Sequence, residues 1–370
     1  MRKTRQQLKI ALFTVAVLVL IPAIQALGAN YTVIDLTPSE SGYGYGISGT
    51  QQVGFNGDLS YLGGHALLWS GTAASVVDLN PSGFDWSYAR GTNGVQQVGY
   101  GEGSATGGGI HALLWNGTAA SRVDLNPAGF SRTEAWGING SRQVGWGHGS
   151  ATGGNDHALL WSGTAASAVD LNPSSYVYSY AFGISGAHQV GYGSATGNWT
   201  EEHALLWNST AGSVIDLNPS GFYTSWANGT NGAQQVGGGR VSPTDSSPIV
   251  HAVLWNGTAD SAIDLNPSGF ELSQACGTNG SQQVGFGLIG DNEHALLWNG
   301  SAGNYIDLHT FLAPGFTSSC AQGIDSYGNI IGYAQDSSGI NHAIFWQVPE
   351  PASVILISTG LIFIRRKTVN

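Results

Sequence analysis

The pentapeptide His65-Ala66-Leu67-Leu68-Trp69 decides the fold, because it returns at His111, His157, His203 and His294 and, as HAVLW at His251 and HAIFW at His342, makes seven copies. Successive copies stand 46, 46, 46, 48, 43 and 48 residues apart. Two further signatures keep step with it. An Asp-Leu pair, usually extended to Asp-Leu-Asn-Pro, falls at Asp35, Asp78, Asp124, Asp170, Asp216, Asp264 and Asp307. A run of the form Gly-Ile/Thr-Asn/Ser-Gly-x-x-Gln-Val-Gly begins at Gly46, Gly91, Gly137, Gly183, Gly229 and Gly277, with a diverged copy at Gly323. Three markers with one period define a single repeating unit, and self-similarity at this spacing marks a repeat architecture.

Each unit reads as four short strands separated by Gly, Asn, Pro and Ser clusters: the HALLW segment, the segment ending in Asp-Leu, a segment such as 87–92, and the Gln-Val-Gly segment such as 96–100. Alternation along HALLW puts His65, Leu67 and Trp69 on one face and Ala66 and Leu68 on the other. Both faces carry apolar residues, so the sheet must be covered on both sides. Four-stranded antiparallel units of this length, each buried by its neighbours, describe the blades of an all-β propeller. The ends of the array predict that it closes. Residues 31–36 form an Asp-Leu strand with no HALLW before it, and 342–346 a HALLW strand with no Asp-Leu after it. Their pairing completes a seventh blade and removes the exposed edges that an open array would keep.

Composition narrows the function. The chain has 370 residues, 42% of them hydrophobic and only 9% charged, with 56 glycines and 12 tryptophans, a balance that favours a periodic fold over disorder. Between residues 30 and 349 the basic residues are Arg90, Arg122, Arg132, Arg142 and Arg240, with no lysine, which leaves this body at about −17. Nucleic-acid binding depends on neutralising phosphates with Lys and Arg, so that class is excluded. Cys276 and Cys320, one and three residues before a repeat glycine, are too few for a disulfide framework; one bridge between adjacent blades and two free core thiols both remain open.

The two termini differ from the body. Arg2, Lys3, Arg5 and Lys9 precede an apolar run over 10–27 that ends in Gly28 and Ala29, the pattern of a secretory signal cleaved near residue 29; a retained membrane anchor is the alternative. At the other end Val348-Pro349-Glu350-Pro351 leads into an uncharged stretch over 352–364, shorter than a stable membrane span, and then Arg365, Arg366 and Lys367. The basic cluster would stay cytoplasmic and leave the repeats outside. The division is therefore 1–29 signal, 30–347 repeats and 348–370 sorting or anchor segment.

These residues carry two resemblances. The repeat, with Leu where the family has Phe in most copies, resembles the HAF-type extracellular repeats of bacterial surface proteins over residues 31–346. The tail, with its Pro-Glu-Pro triplet intact, resembles the PEP-CTERM sorting signal of Gram-negative bacteria. The second resemblance implies processing by a membrane-embedded exosortase, a place on the cell surface or in the extracellular medium, and an association with exopolysaccharide and biofilm material.

Catalytic motifs are lacking: there is no Gly-x-Ser-x-Gly, no HExxH and no phosphate loop. The seven repeat histidines read as strand residues bonded to backbone or to the repeat aspartates across blades, and the aspartates as turn residues before Asn-Pro. His148, in a loop with Asp156, reads as solvated. Acidic loop residues, including Asp156, Glu201, Glu202, Asp291 and Glu293, fall on one side of the ring without a recognised calcium spacing. No cofactor or metal site is expected. Because seven similar units offer no differentiated constellation, the sequence favours a non-enzymatic structural or binding module that contacts polysaccharide through loop aromatics such as Trp86, Trp146 and Trp199. The alternative is a propeller enzyme acting on extracellular glycans, which would need single carboxylates such as Asp85, Glu134 and Glu271 to converge in the channel.

Overall fold

The computed structural model describes residues 31–37, 39–57, 63–241 and 249–349. Seven four-stranded antiparallel sheets follow one another around a ring. Blade 3 is representative: from the centre outward its strands are Phe130–Asn139, Arg142–Gly149, Asp156–Trp161 and Val169–Asp170. Its first hairpin turns on Gly140 and Ser141, and Gly140 adopts φ 57°, the positive φ that a two-residue hairpin loop requires. The ring closes as the two ends of the repeat array predict. Thr32–Asp35 pairs antiparallel with Asn341–Gln347, Val33 opposite Trp346, and becomes the outer strand of blade 7.

The two faces of HALLW have separate partners. Ala66 and Leu68 pack with Leu113 and Trp115 of the next blade, while Leu67 and Trp69 face Ala343 and Phe345 of the blade before. The same exchange recurs around the ring, so each interblade core joins Ala and Leu of one blade to Leu (or Val or Ile) and Trp of the next. All seven HALLW tryptophans are fully buried. Six of their indole N–H groups lack a hydrogen-bond partner among the described residues; in the seventh, Trp346 Nε1 donates to the Leu308 carbonyl.

Polar repeats tie the blades at their edges. His65 Nδ1 lies 2.7 Å from Asp78 Oδ2 on the neighbouring strand of the same blade, and the equivalent pair recurs in all seven blades, across the ring closure as His342 with Asp35. The histidines therefore bond within a blade rather than across blades, because the third and fourth strands are direct neighbours. The Asn-Pro turn makes the crossing instead. Asp78 Oδ1 accepts from the Asn80 amide, Ser87 Oγ on the next blade donates to Asn80 Oδ1, and Ala66 N returns a hydrogen bond to Ser87 Oγ.

Candidate functional site: the central funnel

Every inner strand carries an extra residue at the same place in the repeat. Its register slips between Gly44 and Gly46, Ala89 and Gly91, Ala135 and Gly137, Ala181 and Gly183, Ala227 and Gly229, Ala275 and Gly277, and Ala321 and Gly323. Such a bulge leaves one residue outside the ladder and re-aims its side chain. The seven bulged residues are Tyr45, Arg90, Trp136, Phe182, Asn228, Cys276 and Gln322, and all of them line a single cavity of about 470 Å³ at the ring centre. The glycine after each bulge lets the blades crowd there: a Cβ on Gly137 would lie 2.5 Å from the Phe182 carbonyl oxygen.

The funnel wall is largely aromatic, with Tyr192, Trp226 and Phe286 contributed from positions beside the bulges. Arg90 is its cation. The guanidinium carbon stands 4.2 Å from the Tyr45 ring centre and 4.5 Å from that of Trp136, and Nη2 donates to Tyr100 Oη at 2.6 Å. Beyond the aromatic wall, toward the opposite mouth, the channel narrows to the ring of repeat glycines and the Ile or Thr that follows each, among them Ile47, Thr92 and Ile138.

A side pocket of about 380 Å³ opens between blades 3 and 4, and Glu202 lines both this pocket and the funnel. Tyr178 Oη donates to Glu202 Oε1 at 2.9 Å. Burial nevertheless holds the Glu202 carboxyl above its ordinary pKa, against that hydrogen bond and nearby Arg240. Asp156 faces the same pocket, its Oδ1 2.9 Å from His148 Nδ1 and its Oδ2 accepting from Tyr180 Oη. Burial, and then the neighbouring carboxylates, raise the pKa of Tyr178 and Tyr180, so both phenols stay protonated as donors.

The residues singled out from sequence fare differently. Trp199 is 60% exposed at the lip of the side pocket, with the Arg240 guanidinium 6.0 Å from its ring centre. Trp86 and Trp146 are corrected as loop aromatics: both are buried, Trp86 against Tyr88 and Trp146 against Tyr180, because they fall on the first and second strands and not on the loops between them. Glu134 is buried and bonded to Arg132 and to Trp136 Nε1. Asp85 and Glu271 are exposed on other blades, and none of these three carboxylates lines the funnel. Cys276 and Cys320 are both free. Val348 and Pro349 follow the last strand, with Val348 N donating to Asn329 Oδ1; Glu350, Pro351, Arg365, Arg366 and Lys367, like the signal segment, lie outside the described residues. No helix among the described residues is long and apolar enough to cross a membrane, and no three His, Cys, Asp or Glu side chains among them gather into a metal-holding group.

No known protein family and no curated protein matches the chain. Its fold is similar to that of solved propellers. The β-propeller domain of the trilobed protease from Pyrococcus furiosus aligns with a TM-score of 0.57 at 8% identity over 83% of this chain and 96% of that one. Acylaminoacyl peptidase from Pyrococcus horikoshii aligns at 0.53 and 11% identity over 86% of this chain and 54% of that one, so the chain spans about half of the peptidase's length. Oligogalacturonate lyase in complex with manganese aligns at 0.51 and 12% identity over 88% and 95%. At these identities the likeness establishes the fold.

The expectation of a non-enzymatic structural or binding module is corrected by these findings. It rested on repetition excluding a differentiated site, yet similar rings of repeated blades are carried by peptidases and a lyase. Within this chain, the residue before the repeat glycine is different in every unit. That column of seven unlike residues was the signal available in the sequence.

Proposed function

We propose that the protein is an exported propeller that hydrolyses glycans at the side pocket of its funnel. The observation that carries this reading is Glu202 and Asp156 facing one pocket, with burial raising the pKa of Glu202. Glycoside hydrolysis needs two carboxyl groups in unlike environments. Glu202 gives its proton to the leaving glycosidic oxygen as the bond from the anomeric carbon breaks. Water adds to that carbon, and Asp156, oriented by His148 and Tyr180, takes the proton water releases. Trp199 at the lip offers an aromatic face for a sugar ring. Export follows from the signal-like and PEP-CTERM-like termini, with an exosortase as the processing partner and surface polysaccharide as the nearby substrate.

The test recovers protein from cells producing the full chain and assays it against a panel of neutral and acidic polysaccharides for new reducing ends. Turnover by surface or released material, lost at least ~100-fold in Glu202→Gln and Asp156→Asn, is expected, the range general acid–base groups contribute. A folded protein without turnover on any member of the panel overturns the hydrolase reading. Confinement to the cytoplasm overturns export.

A further inference from the structure

Arg90 presents an unbalanced charge. It is the only basic residue among those lining the funnel, and no ion pair to it exists among the described residues. Its Nε is sealed from solvent without a hydrogen-bond partner, and its polar neighbours are the phenols of Tyr45 and Tyr100. Removing a guanidinium from water without a counter-ion is costly, and aromatic faces return only part of that cost. Glu134, which accepts from the indole of the neighbouring Trp136, is already engaged by Arg132, and the one carboxylate that lines the funnel is Glu202, on the side-pocket wall. A guanidinium makes charge-assisted hydrogen bonds to a carboxylate, and the part of Arg90 that borders the cavity is positioned to make one.

We infer that the funnel binds the carboxylate of an acidic sugar, with Arg90, clamped between Tyr45 and Trp136, as its anchor. This deepens the glycan reading and rests on it for the sugar, while the charge preference rests on Arg90 alone. The occupant carries one carboxylate and is not a polyanionic chain, because the −17 body repels repeated negative charge and the funnel provides a single cation. The flat rings beside the anchor then cover the apolar faces of the pyranose.

The test is calorimetric titration of the Glu202→Gln protein, which cannot use its proton donor, with an aldobiouronic acid and with the neutral methyl ester of the same sugar. Binding of the acid at least ~10-fold tighter than the ester is expected, with the preference lost in Arg90→Gln and reduced in Arg90→Lys, which keeps the charge but not the stacked plane. Equal affinity for acid and ester in the parent protein overturns the inference without any change at Arg90, so a folding defect in that variant cannot mask the result. Acid preference without polysaccharide turnover by the wild type would overturn the hydrolase reading and leave the anchor standing. Turnover confined to neutral glycans would do the reverse.

Discussion

The outer and inner rings of this molecule are built from the same repeat and obey opposite rules. In the interblade cores the units are interchangeable: Ala66 and Leu68 against Leu113 and Trp115 is the same contact as Ala158 and Leu160 against Leu205 and Trp207. At the bulge ring no two units agree, and Arg90, Trp136 and Cys276 occupy equivalent places. The difference has a physical cause. Each core side chain must fit a neighbour of fixed shape on both sides, whereas a bulged side chain borders the funnel and packs against unlike neighbours, as Arg90 does between Tyr45 and Trp136. Uniformity marks where the fold is held, and difference marks the wall of the central funnel.

The largest effect expected from that contrast is at Trp161. Trp161→Ala empties a fully buried site between blades 3 and 2 and should cost about 3–5 kcal/mol in denaturant unfolding. Trp161→Phe should cost far less, since the indole N–H that it removes has no partner. A large loss with Phe would mean that the core depends on the indole's shape in a way the repeat does not reveal.

A smaller, pH-dependent effect is expected at Glu202. Burial raises its carboxyl pKa, so the folded state holds this proton more tightly than the unfolded chain does. The stabilisation from that group is complete below the ordinary glutamate value and is lost as pH rises through the raised one. Gln cannot ionise. Glu202→Gln should therefore gain stability relative to the wild type as pH climbs through this window, read from thermal unfolding across pH. A gap between the two that is constant with pH would refute the role of burial.

The smallest effect belongs to Gln274, a half-buried polar residue facing the funnel. Gln274→Ala should change stability by no more than about 0.5 kcal/mol, as substitutions outside packed features do. A loss comparable with that of Trp161→Ala would erase the distinction between the two rings.

Sequence alone determined the blade count, the four strands per blade, the two-faced burial of HALLW and the closure of residues 31–36 on 342–346. All of these follow from periodicity, because a strand alternates every second residue and a repeat buries itself only against its own copies. Sequence also offered the site in part, since Asp156, Glu202 and His148 stood out as acidic or isolated loop residues. Only the tertiary structure decided that Asp156 and Glu202 share a pocket, that Trp86 and Trp146 are inside, and that the residue before each repeat glycine points to the axis. A one-residue bulge breaks the alternation from which facing is inferred, so the direction of Arg90 could not be read along its own strand. The meeting of Tyr45, Arg90 and Trp136, spaced about one repeat apart in the chain, exists only because seven blades close on a common centre.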